Sequence, residues 1–321
     1  MANAWRRDRT PNFLLSSRHL LLLLSASLLL LVFFFLLSNR TSNPTTLADS
    51  LTFFTSPIAP FDCLASPQAH PVVANLVEGV KHPFLYSLSD FGSLPDKPHK
   101  NIVRMLKGKP FRKPDISVTV QSLLEGKNSG GGGWVVDVGA NVGMATFAAA
   151  VMGFRVVAFE PVFENLQKIC EGVFFNRVGD RVTVFGAAAS DRVGNITFHK
   201  LVGRLDNSAV SASGARLAFK SNEEVEVQVR TVPLDEVVPE SQPVVLVKID
   251  VQGWELHVLK GAKRLLSRKA GDAPYVIYEE DERLLQASNT SATEIRDYLR
   301  SVGYLHCTQH GTDAHCTKSA R

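Results

Sequence analysis

From Trp134 onward the apolar positions change period again and again. "WVVDV", Trp134 to Val138, is a continuous apolar run broken by one acid, which predicts a strand buried on both faces. "MATFAAAVMG" follows with a helical pattern closed by Gly153, and "RVVAFE" is a second strand. Pro161 suits the first turn of the next helix, whose apolar positions Val162, Leu166, Ile169 and Val173 recur at helical spacing. "RVTVFGAAAS" predicts a third strand, whereas "NITFHKL" and "EVEVQVRTV" alternate as an antiparallel insertion with one wet face would. "VVLVKID" is another buried strand, "WELHVLKGAKRLLS" an amphipathic helix, "YVIYEE" a strand, and "ATEIRDYLRSVG" a helix capped by Gly303. Strands alternating with helices predict an α/β fold, a mostly parallel sheet with helices on both faces, an antiparallel insertion and a C-terminal hairpin.

Upstream the pattern is different. Leu20 to Leu37 is an apolar run interrupted only by Ser25 and Ser27. As a helix it would reach roughly 27 Å, enough for a thin bilayer. Arg6, Arg7, Arg9 and Arg18 precede it and Arg40 alone follows closely, a bias that places the N-terminus in the cytosol. No small-x-small cleavage site follows in "LLSNRTS". The expectation is a single-pass type II membrane protein of the Golgi or endoplasmic reticulum, with its catalytic domain in the lumen. The boundaries are a cytosolic segment 1–19, an anchor 20–37, a Ser/Thr/Pro-rich stem 38–71, an accessory segment 72–133 and a catalytic domain 134–321. Within the accessory segment, residues 72–126 read as irregular helices and "NSGGGG", Asn128 to Gly133, as a flexible joint.

Charge excludes one class of partner. The net charge of +4 comes largely from the segment before the apolar run, where four arginines stand against Asp8. Without a basic stripe interleaved with aromatics, nucleic-acid binding is not expected.

The loop after the first strand points to a ligand. Gly139-Ala140-Asn141-Val142-Gly143 lacks the middle glycine of the dinucleotide fingerprint, so close approach to a pyrophosphate is disfavoured. A turn at Gly139 and a close backbone passage at Gly143 suffice for a methionine moiety, with Asp137 placed to order its amine. Glu160, ending the second strand, is placed to accept from both hydroxyls of a ribose. S-adenosylmethionine meets these demands better than NAD.

"VVDVGANVG", "VVAFEP" with Asn165, "AAASDRVGNITF", "VPLDEVV" and "VKIDVQGWELHVLKGA" stand in this order between Trp134 and Glu280. Together they resemble the FkbM-type methyltransferases, a family that uses S-adenosylmethionine. The resemblance implies a class I (Rossmann-like) methyltransferase sheet and methylation of a hydroxyl oxygen. It also implies that Asp137, Gly139, Asn141 and Gly143 line the methionine side, Glu160 the ribose and Asp191 the adenine. Gln252 stands where many members have Glu, so position 252 is not expected to be a general base.

The acceptor side is read from strand ends. Asp250 ends the fourth buried strand, Glu255 opens the following helix and Glu279 ends the next strand, so three carboxylates are candidates for one crevice and for the catalytic base. Trp254 is either a platform for a sugar face or part of the core, and His257 reads as structural. Cys170 falls on the apolar helix face and reads as a buried small hydrophobe. "HCTQHGTDAHC" lacks the spacing of a structural zinc site, so no metal is expected. If "HGTD" is its turn, Gln309 faces Ala314 and Cys307 faces Cys316, near enough for a disulfide. Asn39, Asn195 and Asn289 begin glycosylation sequons. The function expected is methyl transfer to a hydroxyl of a glycan or small metabolite in the secretory lumen. The competing readings are an NAD-dependent oxidoreductase and a non-catalytic nucleotide-binding module.

Overall fold

The computed structural model describes residues 56–68, 72–88, 92–93, 96–98, 103, 107–108, 115–127, 133–201, 205, 208–210 and 224–318. The apolar run 20–37 and the sequon at Asn39 lie outside them. Among the described residues no helix is long and apolar enough to cross a membrane. The expected anchored architecture and the type II, lumenal placement therefore find no support in the structure and are not retained.

The N-terminal segment is not helical throughout, as its sequence was read to be. β1 (Ala74–Val77) and β2 (Phe84–Ser87) form an antiparallel hairpin, and β3 (Gly92–Ser93) pairs with β4 (Lys97–Pro98) before helix α1 (Asp115–Leu124). The hairpin forms because Phe84, Tyr86 and Leu88 recur every second residue, Val77 stands opposite Phe84, and all four share one core with Phe147 and Ile169.

From β5 (Trp134–Val138) the predicted alternation holds through α2 (Met144–Ala150), β6 (Arg155–Phe159), α3 (Phe163–Asn176) and β7 (Val182–Phe185). The third strand then divides. Gly186 passes Leu166 and Phe61, and β8 (Ala188–Ala189) leaves the main sheet to pair with β10 (Glu224–Val232), which carries β9 (Gly194–Leu201) on its other side. β11 (Val244–Ile249) returns to the main sheet. The predicted long helix 254–267 is two, α4 (Glu255–Lys260) and α5 (Lys263–Leu266). The break falls at Gly261, where a Cβ would stand 1.9 Å from the Ser190 carbonyl oxygen, and Asp235 caps α5 by accepting from Arg264 N at 2.7 Å and Leu265 N at 3.0 Å. β12 (Tyr275–Glu279), α6 (Glu282–Ala287), α7 (Ala292–Ser301), β13 (His306–His310) and β14 (Asp313–Thr317) complete the chain.

The main sheet runs β13-β14-β12-β11-β5-β6-β7, parallel from β12 to β7 and antiparallel at the terminal hairpin. Strand residues alternate between two cores: Val136, Val138 and Val247 face one, Val135 and Leu246 the other. The chain leaves β5 in one direction through β6 and β7 and resumes on its other side at β11. The switch point, where ligands of open α/β sheets bind, therefore lies beyond the ends of β5 and β11.

Two disulfides tie the periphery. Cys307 faces Cys316 in the hairpin register predicted for it and is bonded to it. Cys170 is bonded to Cys63 rather than free, which corrects its reading as a small hydrophobe. The 56–68 segment lies against α3 and the β7 edge: Phe61 N donates to Val184 O at 2.7 Å, and Gln167 Nε2 to Pro67 O at 2.8 Å.

Candidate active site

A cleft of about 600 Å³, open solvent at its mouth included, lies at this switch point. Gly139, Asn141, Glu160, Asn165, Asp250, Gln252 and Trp254 supply much of its polar wall, and Phe159, Val162, Ala187, Ala188, Ala189, Phe198 and Leu205 its apolar wall. Among the described residues no lysine or arginine lines it.

Glu160 is held by its own neighbours. One oxygen accepts from Asn141 N at 2.8 Å, the other from Val162 N at 3.0 Å and Asn165 Nδ2 at 3.3 Å. Burial outweighs these bonds and the nearby Lys248 charge, and it pushes the carboxyl up to about 7. Asn141 reaches its position by a left-handed backbone, φ 53°. Its Oδ1 and that of Asn165 are buried without a hydrogen-bond partner among the described residues. Two orphaned acceptors on one wall are costly unless a donor-bearing ligand completes them.

Several expected residues stand elsewhere. Asp137 shares the face of Val135, not of the cleft, because of strand alternation. It is fully buried, accepts from Thr146 Oγ1 at 2.7 Å, and meets Lys248 Nζ at 3.2 Å as an ion pair rather than a well-aligned hydrogen bond. Gly143 is absent from the cleft wall; its φ of 91° and the Phe147 ring, 2.4 Å from where a Cβ would stand, explain the glycine. Gly139 does line the cleft, yet its glycine is required by the β11 end: a Cβ would lie 1.9 Å from the Asp250 carbonyl oxygen. Asp191 is absent from the cleft wall; Ser190 Oγ donates to it at 3.2 Å and His257 Nδ1 lies 3.3 Å from it. That pair lies beside the Trp254 ring, which stacks on His257 at 3.7 Å and donates from Nε1 to Ser190 Oγ at 3.2 Å.

The three acceptor-side carboxylates part company as well. Asp250 is 47% exposed at the cleft. Glu255 is fully buried below it, its Oε1 accepting from Val251 N and Gly253 N at 3.1 Å each, so it shapes the turn rather than facing ligand. Burial pushes its carboxyl up to about 7. Glu279 joins Asp250 through Gln252, whose Nε2 donates 2.9 Å to Asp250 Oδ1 and 2.8 Å to Glu279 Oε2. Burial first, then Asp250 and three further acids, raise Glu279 to about 9. Sequence reasoning passed over Gln252 as a bridge and Lys248 altogether. A lysine inside an apolar strand was a visible signal, since burial demands a partner.

No curated protein matches the chain significantly. Solved structures that resemble it include a putative transferase from Pyrococcus horikoshii (11% identity, 77% of this chain and 70% of that chain covered, TM-score 0.35). Others are the precorrin-6y C5,15-methyltransferase from Geobacter metallireducens (13%, 64% and 87%, 0.34) and P. horikoshii TYW2 in complex with MeSAdo (12%, 78% and 73%, 0.36). These likenesses are too distant to bear on the chemistry. The sequence match is direct: the methyltransferase FkbM domain covers residues 137–305, more than half of the chain, from the β5 acid to the start of the terminal hairpin. The chain belongs to the FkbM methyltransferase family.

Proposed function

We propose that the protein transfers the methyl group of S-adenosylmethionine to a hydroxyl oxygen of a glycan or small metabolite. The observation that carries this reading is the sign of the cleft's polar groups. Asn141 Oδ1, Asn165 Oδ1, Glu160 and Asp250 are acceptors, and among the described residues no cationic side chain lines the cleft with them. S-adenosylmethionine is a net cation: its ammonium and ribose diol seek acceptors and its sulfonium favours negative charge, against a single carboxylate that seeks donors. A dinucleotide brings a pyrophosphate, which seeks donors or positive charge. The residues present therefore fit the first and not the second.

In this reading Asn141 and Asn165 hold the donor groups of the cofactor, Glu160 its ribose hydroxyls, and the wall from Ala187 to Ala189 with Phe198 and Leu205 its base. The cofactor supplies a methyl group on a sulfonium that is its own leaving group. What remains for the chain is to align an acceptor and take its proton. Glu279, raised to about 9, keeps its own proton near neutrality, and Glu255 is sealed beneath the turn. Asp250 is left as the base, its carboxylate oriented by Gln252.

Calorimetric titration of the protein with S-adenosylmethionine and NAD tests the cofactor. Binding of the first and none of the second is expected, and the reverse overturns the proposal. Transfer of a labelled methyl group to a panel of hydroxylated acceptors tests the reaction; label found on nitrogen or carbon instead sinks the oxygen assignment.

A further inference from the structure

Lys248 stands opposite Asp137 in the β5–β11 register, its side chain 9% exposed. Beyond the ion pair with Asp137 it donates to Gly139 O at 2.7 Å and reaches Val138 O at 3.4 Å, and it lies 3.9 Å from Asp250 Oδ2. Burial would push the ammonium down; Asp137, Asp250 and Glu160 outweigh it and hold it above the ordinary lysine value, so the cation persists.

Neutralising Asp137 requires only the first of these contacts. The carbonyl contacts go to the loop that enters the cleft, and the fourth neighbour is the residue assigned to take the acceptor's proton. We propose that Lys248 is a positioning residue: it fixes the Val138–Gly139 end of the cofactor loop and the Asp250 carboxylate in one frame, although it touches neither cofactor nor acceptor. The alternative is a role confined to the core, in which Lys248 merely balances a buried carboxylate. This inference rests on the cofactor reading above.

The two roles separate in a pair of variants. D137N keeps the lysine and its carbonyl contacts, with Asp250 still beside it. K248M/D137N removes both charges, so no buried ion is left unpaired, but also removes the bonds to the loop. Each is followed by thermal melting, by calorimetry with S-adenosylmethionine and by amide exchange of residues 139–143 without cofactor. D137N is expected to bind within about threefold of the parent. K248M/D137N is expected to stay folded, to bind about 10- to 100-fold more weakly, as the loss of charge-assisted bonds implies, and to exchange its loop amides faster. A double variant with parental affinity and parental loop exchange overturns the proposal, since charge balance alone would then explain Lys248. If the parent does not bind S-adenosylmethionine, the cofactor reading has failed instead. Loop exchange then still decides whether Lys248 fixes the loop.

Discussion

At the scale of the residue, protonation and backbone clearance decide the site. Ribose hydroxyls donate, so they bind the ionised form of Glu160. With that group raised to about 7, cofactor affinity is expected to fall as pH drops from 8 to 6, by at most about tenfold per unit below the pKa. Dissociation constants at pH 6, 7 and 8 check this, and E160Q should remove the slope; a parental slope in that variant assigns the proton elsewhere. D250N should keep cofactor affinity within a few-fold while slowing turnover by about 10²–10⁴, the usual contribution of a general base. Parental turnover would make Asp250 a structural strand end. G139A meets both a positive φ of 74° and the Asp250 carbonyl, so it should lower the melting temperature and abolish cofactor binding together. Glu160 and Asp250 were legible because each ends a strand in a readable pattern. Asp137 was misplaced because a one-residue step along β5 exchanges the two faces, and the acid pattern does not show which face meets the cleft.

At the scale of the element, the 56–68 segment is fixed to the domain by a covalent bond that sequence spacing did not reveal. Cys63 and Cys170 lie 107 residues apart, and a pairing across such a distance has no local register to announce it. Cys307 and Cys316, 9 apart across a tight turn, were legible for that reason. The chain-entropy estimate assigns about 4–5 kcal/mol to the long closure and under about 3 kcal/mol to the short one. C63S/C170S should therefore lower the melting temperature more than C307S/C316S, and an equal or reversed order in calorimetry would refute that ranking. The parallel strands were legible as apolar runs. The β1–β2 hairpin was missed because its buried positions fall in two short runs split by the turn around "EGVKHP", too brief to establish a period.

At the scale of the whole molecule, three buried acids set the response to pH. Glu160 and Glu255 are raised to about 7 and Glu279 to about 9, so the folded protein keeps protons that the unfolded chain releases near pH 4.5. Their contribution to stability is full below that pH and is lost as pH rises through 7 and then 9. Asp191 and Asp281 are shifted down, Asp281 chiefly by its bond to Arg283, while His257 and Ser190 overcome burial at Asp191. Their contribution is complete above the ordinary aspartate range and does not oppose the trend. The melting temperature of the cofactor-free protein should fall between pH 5.5 and 8.5, with at most about 3 kcal/mol lost from each of Glu160 and Glu255. A flat or rising profile would show these carboxyls to be ionised in the fold. E255Q should flatten part of it, since the Glu255 Oε2 atom has no partner to lose among the described residues.

The cleft walled by acceptors bears on how a catalytic cycle ends. Transfer of the methyl group turns a sulfonium into a neutral thioether, and with it goes the attraction of the acidic wall for that charge, while the ammonium and the ribose diol keep their acceptors. No lysine or arginine among the described residues lines the cleft to restrain what is left. The spent cofactor should consequently bind more weakly than the fresh one. A dissociation constant for S-adenosylhomocysteine no larger than that for S-adenosylmethionine, measured by calorimetry, would refute this.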